Sequence, residues 1–136
     1  MKLGGRLSVY VEDNDLGYVT GADGGYMVGG NRFIPDVGYI SKARQAEPSH
    51  EAYNPNAPDL AVEVLSPTDD RDSLRLKVAA YLVAGTTLWV VDPDAKQVEV
   101  YGPGNTPVVL GADDTLNGGD VLPGFTLAVK AVFPAQ

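Results

Sequence analysis

Hydrophobic and polar positions along the chain change period several times, and each change marks an element. Leu3, Leu7, Tyr10 and Val11 recur at helical spacing, which predicts an amphipathic helix over 3–11 with Gly17 as its stop. Tyr18-Val19-Thr20 and Tyr26-Met27-Val28 read as short strands around a Gly-rich turn at 21–25. Phe33 to Ile40 reads as one strand, with Pro35 inside it pointing to an edge position or a bulge. The segment 41–58 is polar and contains prolines, a long loop. Asp59 to Leu65 then alternates as a buried strand, with Leu60, Val62 and Val64 on one face and Asp59, Ala61, Glu63 and Leu65 on the other.

Ser66-Pro67-Thr68-Asp69-Asp70 supplies helix-start residues and acids for the positive helix end. Leu74, Val78, Tyr81 and Leu82 form the apolar stripe of that helix, and Gly85 is its natural stop. Thr87 to Val91 reads as a buried strand with Trp89 in the core. A turn over 92–96 leads into an alternating strand, Gln97 to Tyr101. Val108–Leu110 and Thr126–Val129 complete the set, while Asp113, Asp114 and Asp120 near Gly118-Gly119 read as a solvated turn. The order, a helix, several strands, one central helix and more strands, predicts an α+β domain on a central mixed sheet.

Composition narrows the chemistry. The 136 residues suffice for one domain with a true core. No apolar run reaches the roughly 18 residues of a membrane span. Zero cysteines exclude disulfides, thiolate metal sites and a cysteine nucleophile; with no signal-peptide pattern at the start, a cytoplasmic setting is expected. The single histidine, His50, excludes a multi-histidine metal site. The net charge of −8, from 10 basic and 18 acidic residues, argues against tight nonspecific binding to DNA.

Against this background Glu63 stands out. It is a carboxylate between Ala61 and Leu65 on an otherwise apolar face, a costly placement unless a cation, a proton or hydrogen bonds compensate it. Asp59 shares that face, but four residues along a strand separate the two by ~13 Å. Asp59 is therefore better placed as an outer acid or a strand-start residue. Asp36, on another strand, is free to lie opposite Glu63. Lys77 sits at the edge of the apolar helix stripe, one turn from Tyr81, where it either snorkels to solvent or turns toward the carboxylates. Two acids and a lysine on a strand, strand, helix framework suggest a metal-dependent phosphodiester-cleaving site.

The ordered set of motifs resembles a known family. Arg32 with Pro35-Asp36-Val37, then Pro58-Asp59-Leu60, Val62-Glu63-Val64 and Ser66-Pro67, then Lys77 and Tyr81, Ala84-Gly85, Leu88 to Pro93, and Leu122-Pro123-Gly124-Phe125 are similar to the Uma-type family of restriction-endonuclease-like proteins. That family lies within the PD-(D/E)XK nuclease superfamily. The resemblance implies a restriction-endonuclease-like fold, a central mixed sheet flanked by helices with the site at the sheet edge. It implies an endonuclease acting on DNA to leave 5′-phosphate ends. Asp36 and Glu63 correspond to the metal-binding acids; with the Val64 carbonyl they are expected to hold Mg²⁺ or Mn²⁺. The superfamily lysine normally falls two residues after the second acid, a place held here by Leu65, and the family pattern matches Lys77 instead. Tyr81 and Asp59 are possible accessory residues, and Arg71, Arg75, Lys42 and Arg44 possible phosphate contacts. Relative to the family, the single domain, 1–136, is expected to lack an N-terminal segment. A homodimer able to cut two strands is one expectation; a catalytically inactive interaction or dimerisation module of the same fold is the alternative to the nuclease.

Overall fold

The computed structural model describes residues 2–133. Helix α1, Lys2–Asp13, begins the described chain. It ends earlier than Gly17: Asp15 takes the left-handed conformation (φ 52°), and the Leu16 amide closes the helix on the Val11 carbonyl. Gly17 instead opens strand β1, Gly17–Thr20, where a β-carbon would lie 2.1 Å from the Ile40 carbonyl oxygen. Its role is close strand approach, a requirement that local helix-stop reasoning does not see.

Strands β2 (Gly25–Val28) and β3 (Asn31–Phe33) form a hairpin. The strand expected over 33–40 is broken: Ile34-Pro35-Asp36 leaves the ladder, and β4 runs over Val37–Ser41. A proline has no amide hydrogen to give a ladder, which accounts for the break. Strand β4 is not at an edge, since it pairs with β1 on one side and β6 on the other. Within the expected loop, Tyr53–Asn54 forms a two-residue strand, β5, parallel to β2. Strand β6 (Leu60–Val64) runs parallel to β7 (Thr87–Asp92), connected through helix α2 (Arg71–Val83). Strands β8 (Gln97–Tyr101) and β9 (Val108–Leu110) continue the sheet antiparallel. Thr115–Asn117, to which the sequence pattern assigns no element, is strand β10, and it pairs with β11 (Thr126–Ala128). Val129 leaves the strand for a short 3₁₀ turn, η1 (Val129–Ala131).

The main sheet has the order β1-β4-β6-β7-β8-β9, with β6 and β7 its parallel pair. The β3-β2-β5 and β10-β11 sheets are separate from it. The fold is thus α+β, with a helix on each face of a mixed sheet. On one face Leu3, Leu7 and Val11 of α1 pack on Val37, Tyr39, Leu60, Val62, Trp89 and Val91, and Leu116, Leu122 and Phe125 complete that core. On the other face Leu74 and Tyr81 of α2 cover Ala61, Leu88 and Val90, with Tyr26 and Val28 of the small sheet. The strict alternation of β6 sends Ala61 and Glu63 to the α2 face. Of the helix stripe, Leu74 and Tyr81 are buried, while Leu82 is half-buried.

Helix α2 has well-made ends. The Asp70 carboxylate accepts from the Asp72 amide at 3.1 Å, a side-chain N-cap. At the other end Gly85 adopts φ 83°, and the amides of Gly85 and Thr86 close on the carbonyls of Leu82 and Tyr81. The expected stop at Gly85 is therefore present. Among the described residues no helix is long and apolar enough to cross a membrane.

Candidate active site at the end of strand β6

Pairing between β4 and β6 ends at Val37↔Val62. One more step of that register sets Asp36 opposite Glu63. The chain has left the ladder there, so the Val64 amide has no strand partner on that side. The Asp36 carboxylate takes its place, accepting from the Val64 nitrogen at 2.7 Å. The Pro35 break thus substitutes an acid for a strand carbonyl. In an extended strand the amide and carbonyl of one residue point the same way, so the Val64 carbonyl faces the Asp36 side as well.

Glu63 lies under α2, with only 12% of its side chain exposed. Tyr81, one of the largest fully buried side chains, donates its hydroxyl to Glu63 Oε2 at 3.1 Å. Lys77 Nζ stands 3.8 Å from Glu63 Oε1, and its side chain remains 44% exposed. The ring of Phe33 packs on Tyr81 with centroids 5.1 Å apart, tying the strand before Asp36 to the same corner. Glu63, Val64, Asp69, Ser73 and Lys77 are among the residues lining a small cleft of about 50 Å³. Burial raises the Glu63 carboxyl above the ordinary glutamate value; Lys77 and the Tyr81 hydroxyl pull it down, and the nearby charges of Asp36 and Asp69 push it up again. The same burial, with the Glu63 charge beside it, raises the Tyr81 phenol.

The other sequence-derived candidates are placed differently. Asp59 sits at the opposite end of β6, where it accepts from the Ser41 amide at 2.6 Å and pairs with Arg44 at 3.6 Å. Arg44 donates to the carbonyls of Ala57 and Pro58 at 3.1 and 2.9 Å, so it fastens the start of β6. Lys42 is paired with Asp15. Arg71 reaches Glu99 and Asp92, and Arg75 pairs with Asp72 at 3.7 Å, both partners well exposed. Five of the ten basic residues are therefore already neighbours of acids. Two acids escaped the sequence reading. Asp69 lines the cleft, and Glu99 is buried on β8. Glu99 did not carry the signal that Glu63 did: Val98 and Val100 lie on the other face, and its same-face neighbours are Gln97 and Tyr101, the alternation of a half-exposed strand.

A mixed sheet of this kind, with a helix on each face, is the fold of restriction-endonuclease-like proteins. The family model for Uma2, putative restriction endonuclease, matches residues 2–130, and the chain belongs to that family. Among solved structures it is similar to a putative nuclease belonging to DUF820 from Anabaena variabilis. The two share 20% sequence identity and superpose with a TM-score of 0.84, covering 96% of this chain and 75% of the other. No curated protein matches the chain.

Proposed function

We propose that this protein is a metal-dependent endonuclease that hydrolyses phosphodiester bonds of DNA, with Asp36, Glu63 and Lys77 as its working residues. The observation that carries the reading is their convergence: Asp36 on the Val64 amide, and Lys77 and Tyr81 on the two oxygens of Glu63. Among the described residues no three His, Cys, Asp or Glu side chains gather as a cage. Two carboxylates and a backbone carbonyl, all hard oxygen donors, are nevertheless a set that suits Mg²⁺ or Mn²⁺, since Mg²⁺ commonly takes one or two carboxylates and keeps waters and phosphate oxygens. Asp36, Glu63 and the Val64 carbonyl would hold the ion.

A bound divalent ion supplies Lewis-acid polarisation of the phosphate and lowers the pKa of a water. The rest falls to the protein. Tyr81 fixes the Glu63 carboxylate, leaving Oε1 toward the cleft. Lys77 offers its ammonium to the charge that builds on the phosphate oxygens. The half-exposed Lys77 side chain gives the scissile phosphate a path in, and products with 5′-phosphate ends are expected from the family pattern. Arg75, exposed and held by a single long ion pair, is the basic residue best placed to add a phosphate contact from α2. Lys42 and Arg44 serve β1 and β6 instead. Supercoiled plasmid incubated with the wild type and Mg²⁺ or Mn²⁺ tests the proposal. Nicked product is expected, with none in chelator or with Glu63→Gln. Intact plasmid with the wild type across both ions would speak for the interaction module instead.

A further inference from the structure

Glu63 has a counterpart two strands away. The register pairs Glu63 with Val90 and Val90 with Glu99, so the two glutamates stand in one row on the α2 face of the sheet, about 9.5 Å apart at Cα. Glu99 is 8% exposed. It accepts from the Tyr101 hydroxyl at 2.6 Å and from Arg71 Nη1 at 3.2 Å, and Arg71 Nη2 lies 3.7 Å from Asp92. The Tyr101 phenol is pushed up to about 12, first by burial and then by its bond to Glu99.

Arg71 is the first residue of α2. A cation there is unfavourable with respect to the helix dipole, so helix stability does not explain it. Six residues separate Arg71 from Lys77, which sets their side chains about 120° apart around the helix axis. They leave from opposite edges of the buried stripe of Leu74 and Tyr81. Helix α2 is thus held across the Glu63-Val90-Glu99 row at both edges, by Lys77 on Glu63 and by Arg71 on Glu99.

We infer that the Arg71–Glu99 pair is the lock that fixes the rotation of α2 and so holds Lys77 over Glu63, which makes Arg71 and Glu99 positioning residues of the active site. This rests on the nuclease reading for its purpose, but not for its geometry. The guanidinium fork spans Glu99 and Asp92 together, a reach that a lysine ammonium does not reproduce. It also neutralises the buried Glu99 carboxylate, which would otherwise keep only the Tyr101 hydroxyl.

The test compares the 136-residue wild type with Arg71→Lys and Glu99→Gln, both mild enough to keep the core. Lys77→Met is the control for the loss of the lysine. Each protein is treated with a reductive methylation reagent, and Lys77 is followed by mass spectrometry against Lys2 and Lys130 as internal standards. Thermal unfolding is recorded on the same samples. The lock predicts a severalfold faster modification of Lys77 in both variants, with Lys2 and Lys130 unchanged. Where plasmid cleavage is present, it also predicts a fall in kcat with KM for DNA held. An unchanged relative rate at Lys77, with only a lower Tm, would overturn it and leave Arg71 a purely structural residue. The methylation readout is independent of cleavage, so an inactive wild type would count against the nuclease proposal and not against the lock.

Discussion

At the scale of single residues, Glu63 governs the site. Its carboxyl is raised by burial, so between the ordinary glutamate value of 4.5 and the higher value in the fold the native state holds a proton that the unfolded chain has released. The sign follows: the stability that Glu63 contributes to the metal-free protein falls as pH rises through that window, and below it the loss is absent. Urea unfolding at a series of pH values between 4 and 8 is expected to show this decline in the wild type and to show it flattened in Glu63→Gln. A wild type whose pH dependence ran parallel to that of Glu63→Gln across the same range would contradict the placement of Glu63. The surroundings of this residue were legible in the sequence because a strand has period two: Ala61 and Leu65 as neighbours on the face forced the acid under the helix. Glu99 on β8 has Gln97 and Tyr101 as its same-face neighbours, so period two does not reveal its burial; its partner Arg71 arrives from another element, and no local pattern indicates which acid an arginine will choose.

At the scale of elements, the strongly periodic segments were readable and the short ones were not. Helices α1 and α2 and strands β6, β7 and β8 follow from apolar spacing alone, since each buries a full stripe or face. Strands β5 and β10 have two and three residues, too few for a period to emerge, and they exist because of their partners β2 and β11. The break at Pro35 was misjudged for a related reason. A proline announces that one amide is missing, but only the register shows that an aspartate carboxylate then meets the amide left open on the neighbouring strand. Gly85 illustrates a local signal that suffices. At φ 83° a side chain is strained whatever the space around it, so Gly85→Ala is expected to cost roughly 1–2 kcal/mol in equilibrium unfolding. A cost near zero would mean that the end of α2 can close without the left-handed turn. The same substitution at Gly17 meets the backbone of Ile40, so its effect comes from forcing β1 away from β4 and is expected to be the larger of the two.

At the scale of the molecule, charge sets how a nucleic acid can be engaged. The chain carries −8, and the basic residues around the cleft are shared with acids. Few phosphates can then be neutralised at once, and the slope of log affinity against log salt scales with that number. Anisotropy titrations of a labelled duplex with Glu63→Gln are expected to give a shallow slope, no steeper than about −3. A slope of −6 or beyond would reveal a basic surface that the fold does not display. On the proposed function, little general attraction for DNA would leave specificity for the scissile phosphate to the corner made by Asp36, Glu63 and Lys77.

In the proposed site Asp36 and Glu63, brought together where β4 and β6 part, would share one divalent ion. Calorimetric titration of Mn²⁺ into the wild type, Asp36→Asn and Glu63→Gln at neutral pH tests it most directly. One ion per chain is expected in the wild type, with loss of that binding in either variant and both variants still folded by circular dichroism. Wild-type protein that takes up no Mn²⁺, or binding that survives both substitutions, would contradict it.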